Sequence, residues 1–340
     1  MSMFKKVLVI QTAFPGDTIL TLPLIQYLKT RNYADEIDVL CIPATEEVFK
    51  DSPSVNNVIV IDKKNKHKNI FALLKFIKIL KTNKYDAVYS PHRSMRSAII
   101  TLLLGAKETF GFDNSSLCYA YKNLVHYNIK DHEVKRNLSL TGDNFENDKW
   151  KIYPEINFED EIIKKTDDFI KENSLEEKFI AIAPASVWGT KQYPTDQFKE
   201  VIELLSLEGN KILLIGSEND TELCSELEIN SNVINSAGKF SIIESAALLK
   251  NSKLLISNDS LPAHLGMCVD IPVLMLYCST VPEFGFYPFN DKSEILSYDD
   301  LGCKPCGIHG YQNCPLGTFE CAKKLKPELV FEKVKEMLSQ

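Results

Sequence analysis

The sequence predicts an α/β protein made of two Rossmann-like halves. Three observations carry this reading. Short apolar runs rich in β-branched residues alternate with longer stretches of helical period, the rhythm of a parallel sheet covered on both faces. The rhythm gives way to a less regular region that ends near Asn173, then restarts. The length of 340 residues is also more than one typical core organises.

Taken in order, "KKVLVIQ" is a buried strand, and a helix is expected from about Asp17 to Arg31. "EIDVLCIP" and "NNVIVID" are the next strands, with a short helix near Glu46 between them. The helical stretch "NIFALLKFIKILK", the strand "YDAVYSP" and the helix "RSAIITLLLG" complete the first half, roughly 1–165. The charged stretch "NFEDEIIKKTDDFIKENSLEEK" reads as the junction. The second half, 175–325, opens on "KFIAIAPAS" and the helix "PTDQFKEVIELLSLEG", which has a glycine stop. "NKILLIGS", "DTELCSELEI", "SIIESAALLKNS", "KLLISND", "LPAHLGMCVD" and "IPVLMLYCS" continue the alternation. A last helix within 327–340 is expected to pack back on the first domain. Ligands of open parallel sheets bind beyond the carboxyl ends of the strands, so two such sheets imply a site in a central cleft.

Composition narrows the function. A hydrophobic fraction of 44% with 25% charged residues is ordinary for a soluble globular chain. A net charge of -7 gives no support to a nucleic-acid partner. No apolar run approaches the roughly 18 residues that span a bilayer, so a cytoplasmic protein is expected. In that compartment the nine cysteines are thiols or metal ligands rather than disulfides.

Four loops and one helix hold the candidate chemistry. "QTAFPGD" follows the first strand, where a dinucleotide loop needs several glycines to approach a pyrophosphate. Only Gly16 is present, which argues against a nicotinamide or flavin site. Asp17 beside it reads either as an acid complementing a helix dipole or as a general base. "APASVWGTKQYP" places Ser186, Thr190 and Lys191 just before a helix, two hydroxyls and a cation suited to phosphate, or else a solvated loop. In "SNDSLPAHLG" a strand ends and polar residues open a helix, with His264 about one turn past Ser260. That is an anion site, or a plain N-cap at Asn258 or Asp259 with a core histidine. Cys303, Cys306, Cys314 and Cys321 have spacings x2, x7 and x6, which suit a structural zinc or iron on four thiolates, or four unligated thiols. Residues 63–84 carry eight lysines and no acid around a helical apolar face. This is either a solvated helix or a surface that leans on anionic lipid, making the protein peripheral on the inner membrane.

These stretches, in this order, resemble glycosyltransferase family 9, the ADP-heptose:lipopolysaccharide heptosyltransferases, over nearly the whole chain. "VLVIQTAFPGDTILTLPLI" resembles the family's opening and is most similar to its heptosyltransferase II members. "SPHRSMRSAIITLLLGAKETFGFD" resembles the acceptor-side segment, "PASVWGTKQYP" the lysine loop, and "SNDSLPAHLGMCVDIPVLMLYCSTVPEFGFYPF" the donor-binding helix and its following loop. The resemblance implies a GT-B fold and an inverting transfer that needs no metal or other cofactor. It implies an ADP-sugar donor on the second domain and a lipid-linked Kdo or heptose acceptor on the first. By the family's motifs Asp17 is the base and Lys191 holds the diphosphate. Asp259, Ser260 and His264 bind the donor, Phe240 packs on the adenine, and Asp220 lies near an acid that touches the nucleoside. Gly16 would let the backbone turn closely on the acceptor side. Arg93 and Arg96, with His92 or Lys135, would pair with acidic groups of the acceptor. The chain departs from the family pattern at Leu261, where a glycine is common and backbone amide contacts to the donor are expected. It departs also at Gln192-Tyr193 and Ala185. Transfer to a protein acceptor, a sugar-nucleotide epimerase of the same architecture, and a two-lobed binding protein are the rival readings.

Overall fold

β-Branched and leucine-rich runs become the strands of two parallel sheets, and their apolar character on both faces follows from burial on both faces. The computed structural model describes residues 3–177 and 179–339, and the chain divides between Asn157 and Phe158 into two units. The first holds strands β1 (Phe4–Ile10), β2 (Ala34–Cys41), β3 (Asn57–Val60), β4 (Ala87–Ser90), β5 (Glu108–Phe112) and β6 (Asn123–Val125). Its helices are α1 (Pro15–Ile19), α2 (Leu22–Thr30), α3 (Glu46–Lys50), α4 (Ile70–Leu80), α5 (Met95–Leu104) and α6 (Glu133–Ser139). The strand order is β3-β2-β1-β4-β5-β6, with every pair parallel.

The second unit repeats the plan. Its strands are β7 (Phe179–Ala183), β8 (Ile212–Leu214), β9 (Val233–Asn235), β10 (Ser252–Asn258), β11 (Val273–Tyr277) and β12 (Glu294–Ser297). Its helices are α7 (Asp160–Glu172), α8 (Thr195–Leu207), α9 (Thr221–Glu226), α10 (Ile242–Leu249), α11 (Leu261–Cys268), α12 (Glu320–Lys323) and α13 (Pro327–Leu338). The parallel order is β12-β11-β10-β7-β8-β9. In both sheets the first strand lies beside the fourth, so each has one switch point, after β1 and β4 and after β7 and β10. Loops leaving neighbouring strands there diverge and open a crevice for a ligand.

Three elements differ from the sequence reading. The helix expected from Asp17 to Arg31 is broken into α1 and α2, because Thr21 at the junction is tied on both sides. Its hydroxyl donates to the Asp17 carbonyl at 2.8 Å and accepts from Gln11 Nε2 at 2.8 Å. The charged junction is largely a helix, α7, which packs on α10 of the second unit, so that unit begins near Phe158. The third is α13, which packs against α8 within the second unit. Val330, Val334 and Met337 recur at helical spacing and enter one core with Phe198, Val201, Ile202 and Leu205 of α8. Tyr193 Oη donates to the Leu325 carbonyl at 2.6 Å and fastens the approach to that helix. No helix among the described residues is long and apolar enough to cross a membrane.

Candidate functional site

At the switch point of the second sheet, the loop after β7 carries the lysine and the loop after β10 carries the acid. Lys191 Nζ lies 2.6 Å from Asp259 Oδ2, and both side chains are largely buried, at 12% and 8% exposure. Thr280 Oγ1 donates to the same carboxylate oxygen at 2.8 Å. A buried pair of this kind recovers its desolvation cost only through close geometry and added hydrogen bonds, and this one has both. Asn258 sets the spacing of the two loops. Its side chain accepts from the Tyr193 amide at 2.9 Å and donates to the Pro184 carbonyl at 2.7 Å. The sequence reading offered Asn258 only as a cap.

Beside the pair, α11 starts at Leu261 with Ser260 as its N-cap residue, and no side chain caps the first turn. The Ser260 hydroxyl turns back to the Asn258 carbonyl at 3.4 Å. The positive end of the helix therefore points outward next to an ammonium group, a combination that favours an anion. Leu261 is the first residue of that helix. His264 is buried one turn on, and burial lowers its pKa to about 4, so it is a neutral imidazole near Asp259 and Lys191.

The lysine loop is buttressed from an unexpected side. Thr190 is buried, and its hydroxyl donates to the Tyr311 carbonyl at 3.0 Å while accepting from the Tyr311 amide at 2.8 Å and Ser279 Oγ at 3.0 Å. This Thr190 hydroxyl is spent on structure, which corrects its assignment to phosphate. Gln312 Nε2 donates to the Val187 carbonyl at 2.9 Å, and the Trp188 and His309 rings stack at 6.0 Å. The segment that carries the four cysteines thus supports the loop that carries Lys191. A Cβ on Gly189 would stand 2.3 Å from the Gln312 carbonyl oxygen, and Gly310 has φ +76 against Thr190. Gly189→Ala is expected to cost about 1–3 kcal/mol of stability by displacing the loop that carries Lys191; thermal melting measures it.

The four thiols lie within electrostatic reach of one another, with Cys303, Cys306 and Cys314 all acting on Cys321. Cys303 is exposed, Cys306 and Cys314 are partly buried, and Cys321 is buried. Among the described residues no three His, Cys, Asp or Glu side chains converge closely enough to hold a metal ion. Ser186 accepts from the Trp188 amide at 3.5 Å at the edge of the loop. Asp220 closes a capping box, accepting from the Ser217 amide at 2.8 Å and hydroxyl at 2.7 Å. Phe240 meets Phe169 edge-on at 5.0 Å and lines a cavity of about 790 Å³ with Lys165, Lys239 and Glu244.

The first unit has its own cluster at the switch point between β1 and β4. Asp17 is the third residue of α1, where an acid reaches back to the amides of the helix start. Its carboxyl does accept from the Phe14 and Asp17 amides, yet its pKa is raised from 3.8 to about 7. Burial is the largest cause, and the negative charge of Glu133 is the next; Arg93 opposes both. A plain N-terminal acid would be shifted the other way. Glu133 escaped the sequence reading, as did its holders. Arg136 Nε donates to Glu133 Oε2 at 2.7 Å from a buried position, and Tyr127 Oη lies 3.3 Å from the same oxygen. The signal was two charged residues at i and i+3 inside "HEVKRNL", flanked by residues that bury.

Gly16 lies within α1 and is not among the residues with positive φ, so the turn there does not depend on a glycine backbone. Arg93 stacks on Tyr127 at 3.9 Å. Arg96 instead donates to the His67 carbonyl at 2.7 Å and reaches that of Lys68 at 3.5 Å, tying α5 to the turn before α4. Lys135 pairs with Asp131 at 2.9 Å. His92 Nδ1 lies 2.9 Å from Thr12 Oγ1 and 2.9 Å from Ser97 Oγ, and burial lowers its pKa to about 4. Lys63 Nζ donates to the Thr12 carbonyl at 2.6 Å, a cation at the first loop that the motif reading did not single out.

Known proteins share this plan. Lipopolysaccharide heptosyltransferase 3 of Escherichia coli is 27% identical over 286 residues, which are 78% of this chain and 82% of that one. Lipooligosaccharide heptosyltransferase 2 of Campylobacter jejuni is 24% identical over 331 residues, 95% of each chain. The solved structure of the E. coli ADP-heptose lipopolysaccharide heptosyltransferase II matches with a TM-score of 0.79 at 21% identity, covering 98% of this chain and 99% of that one, so the fold is GT-B-like. The family model described as glycosyltransferase family 9 (heptosyltransferase) matches residues 73–313. By that match, across both units, the chain belongs to glycosyltransferase family 9.

Proposed function

We propose that this glycosyltransferase moves a heptosyl group from ADP-heptose to a sugar hydroxyl of the lipid-linked inner core of lipopolysaccharide, with inversion and with Asp17 as general base. The observation that carries the reading is the Lys191–Asp259 pair beside the uncapped start of α11; the first unit, taken by itself, holds a carboxyl of pKa about 7. The relatives named for lipopolysaccharide and ADP-heptose supply the sugar and the acceptor class.

The acceptor O–H gives its proton to the Asp17 carboxylate as its oxygen forms the new bond at the anomeric carbon. The anomeric C–O bond to the β-phosphate breaks, and ADP departs with the electron pair. Lys191 and the first turn of α11 meet the growing charge on the diphosphate. The amide of Leu261 and the Ser186 hydroxyl are further donors, and neutral His264 offers one N–H. The Phe240 ring offers the adenine a face, and the Asp220 carboxylate, held by its capping box, is offered to the nucleoside. This chemistry is complete with protein groups and needs no resident cofactor. On the acceptor side Arg93, with Lys63 and neutral His92, suits an acidic sugar or phosphate.

The test is ADP release from ADP-heptose with and without a Kdo-containing lipid acceptor. Acceptor-dependent release is expected. Turnover without acceptor would point to an epimerase or hydrolase and would overturn the reading.

A further inference from the structure

Helices α4 and α5 lie side by side on the first sheet, burying Leu73, Ile77 and Leu80 of one and Ile100 and Leu104 of the other in a shared core. Their N-terminal ends are joined by Arg96 on the His67 and Lys68 carbonyls. Their C-terminal ends are joined by Lys81 Nζ on the Leu103 carbonyl at 3.3 Å. The outward face of the pair is not polar. Phe71 is 80% exposed and Ile79 is 63% exposed, with Ile70, Leu74, Met95 and Leu102 also open to solvent. A solvated helix normally presents polar residues there.

The charge on this face is as one-sided as its apolar content. Lys75 and Lys78 share the exposed side of α4 with Phe71 and Leu74, and Lys64, Lys66, Lys68, Lys81 and Lys84 are exposed in the turns that flank this helix. The two acids that bound the segment are engaged by neighbouring backbone amides. Asp62 accepts from the Lys64 and Asn65 amides, and Asp86 accepts from those of Lys5 and Lys6. In a chain of net charge -7, the segment 63–84 that carries this aromatic and aliphatic ridge has eight lysines and no acid. Apolar side chains that enter the acyl boundary, ringed by ammonium groups that meet headgroup phosphates, are what an anionic bilayer surface recognises.

The ridge is also mechanically joined to the first loop. Lys63 bonds the Thr12 carbonyl, and His92 links Thr12 to Ser97 at the start of α5. We infer that the α4–α5 face is a docking surface for anionic lipid, which seats the first loop and Asp17 at the bilayer where a lipid-borne acceptor lies. The purpose of this docking rests on the proposed acceptor, but the docking itself needs neither donor nor acceptor.

The experiment is co-sedimentation of the full chain with vesicles of phosphatidylcholine alone and with about 30% phosphatidylglycerol, at low and high salt. Binding is expected only to the anionic vesicles and is expected to weaken with salt. Phe71→Ser with Leu74→Ser, and separately Lys75→Glu with Lys78→Glu, should each lower partitioning at least about tenfold. Melting temperature and turnover on a delipidated acceptor should stay unchanged, since these side chains are exposed, while turnover on acceptor embedded in anionic vesicles falls. Equal partitioning of wild type and both variants would overturn the inference. So would a solution dimer broken by Phe71→Ser with Leu74→Ser, which would make the face a contact between copies. Because the vesicles carry no substrate, failure here leaves the transferase reading intact, and loss of transferase activity leaves the docking result intact.

Discussion

Asp17→Asn is expected to lower kcat roughly a thousandfold at pH 8, within the range a positioned base contributes, while changing ADP affinity by less than about twofold. The acceptor hydroxyl must shed its proton as it attacks, and asparagine cannot take it. The same group sets a pH dependence. The Asp17 pKa is raised to about 7 by burial first and by Glu133 second. In the proposed role of base Asp17 must be deprotonated, so kcat/KM should climb about tenfold per pH unit up to pH 7 and then level off. Stability should run the opposite way. The unfolded carboxyl has a pKa of 3.8 and the folded one about 7. Between those values the folded state holds a proton that the unfolded state has lost, so stability falls as pH rises through the window. Asp17→Asn never ionises and should therefore be more stable than wild type by about 2 kcal/mol above pH 7, allowing for partial solvent access, with no gain below pH 4. Glu133→Gln should shift the activity profile toward lower pH without abolishing turnover. Rate profiles and melting curves across pH 4–9 decide this. Loss of activity with no stability gain would assign Asp17 to structure and not to proton transfer.

The two sheets and the polar loops that follow their strands were legible in the sequence for a physical reason. Buried parallel strands are continuous apolar runs, and the polar residues that end them must lie at the carboxyl edge where ligands bind. Asp259 stands immediately after such a run, Lys191 lies in the segment that links such a run to the next helix, and Asp17 lies in the first turn of the helix that follows one. Residues whose role depends on a distant partner were not legible. Thr190 looks like a phosphate ligand in its loop, but its hydroxyl is claimed by Tyr311, 121 positions away. Glu133 acquires meaning only because α6 is tied to the first helices, with Asn137 Nδ2 donating to the Leu20 carbonyl at 3.0 Å. The apolar stripe of α13 announces that a partner face exists, but periodicity does not say which unit provides it. The four-cysteine spacing points to a metal, and nothing in that spacing tells that the same segment also braces the lysine loop.

Lys191→Ala should produce the largest combined loss of stability and function. Removing one member of a buried pair leaves the other charged and desolvated, with a typical cost of about 3–5 kcal/mol. Here Asp259 would keep only Thr280 as a hydrogen-bond partner among those described. Replacing both members should be milder, so Lys191→Ala with Asp259→Asn should recover most of the lost stability. Function should not follow. Without the ammonium group the departing diphosphate loses its main fixed cation, a loss of roughly 100- to 1,000-fold in kcat/KM. ADP affinity should fall at least about tenfold in the single and the double variant alike. Lys191→Arg tests geometry as well as charge. The loop is wedged against the backbone at Gly310, and a Cβ there would lie 3.6 Å from Lys191 Cγ. A wider guanidinium should therefore restore charge but only part of the rate. The four proteins can be compared by melting with and without ADP and by acceptor-dependent ADP release. If the double variant regained both stability and ADP affinity, the pair would be a structural brace and the diphosphate would have to be held elsewhere. If stability returned and affinity did not, the lysine would be the donor's anchor and Asp259 the group that keeps it aimed while the site is empty.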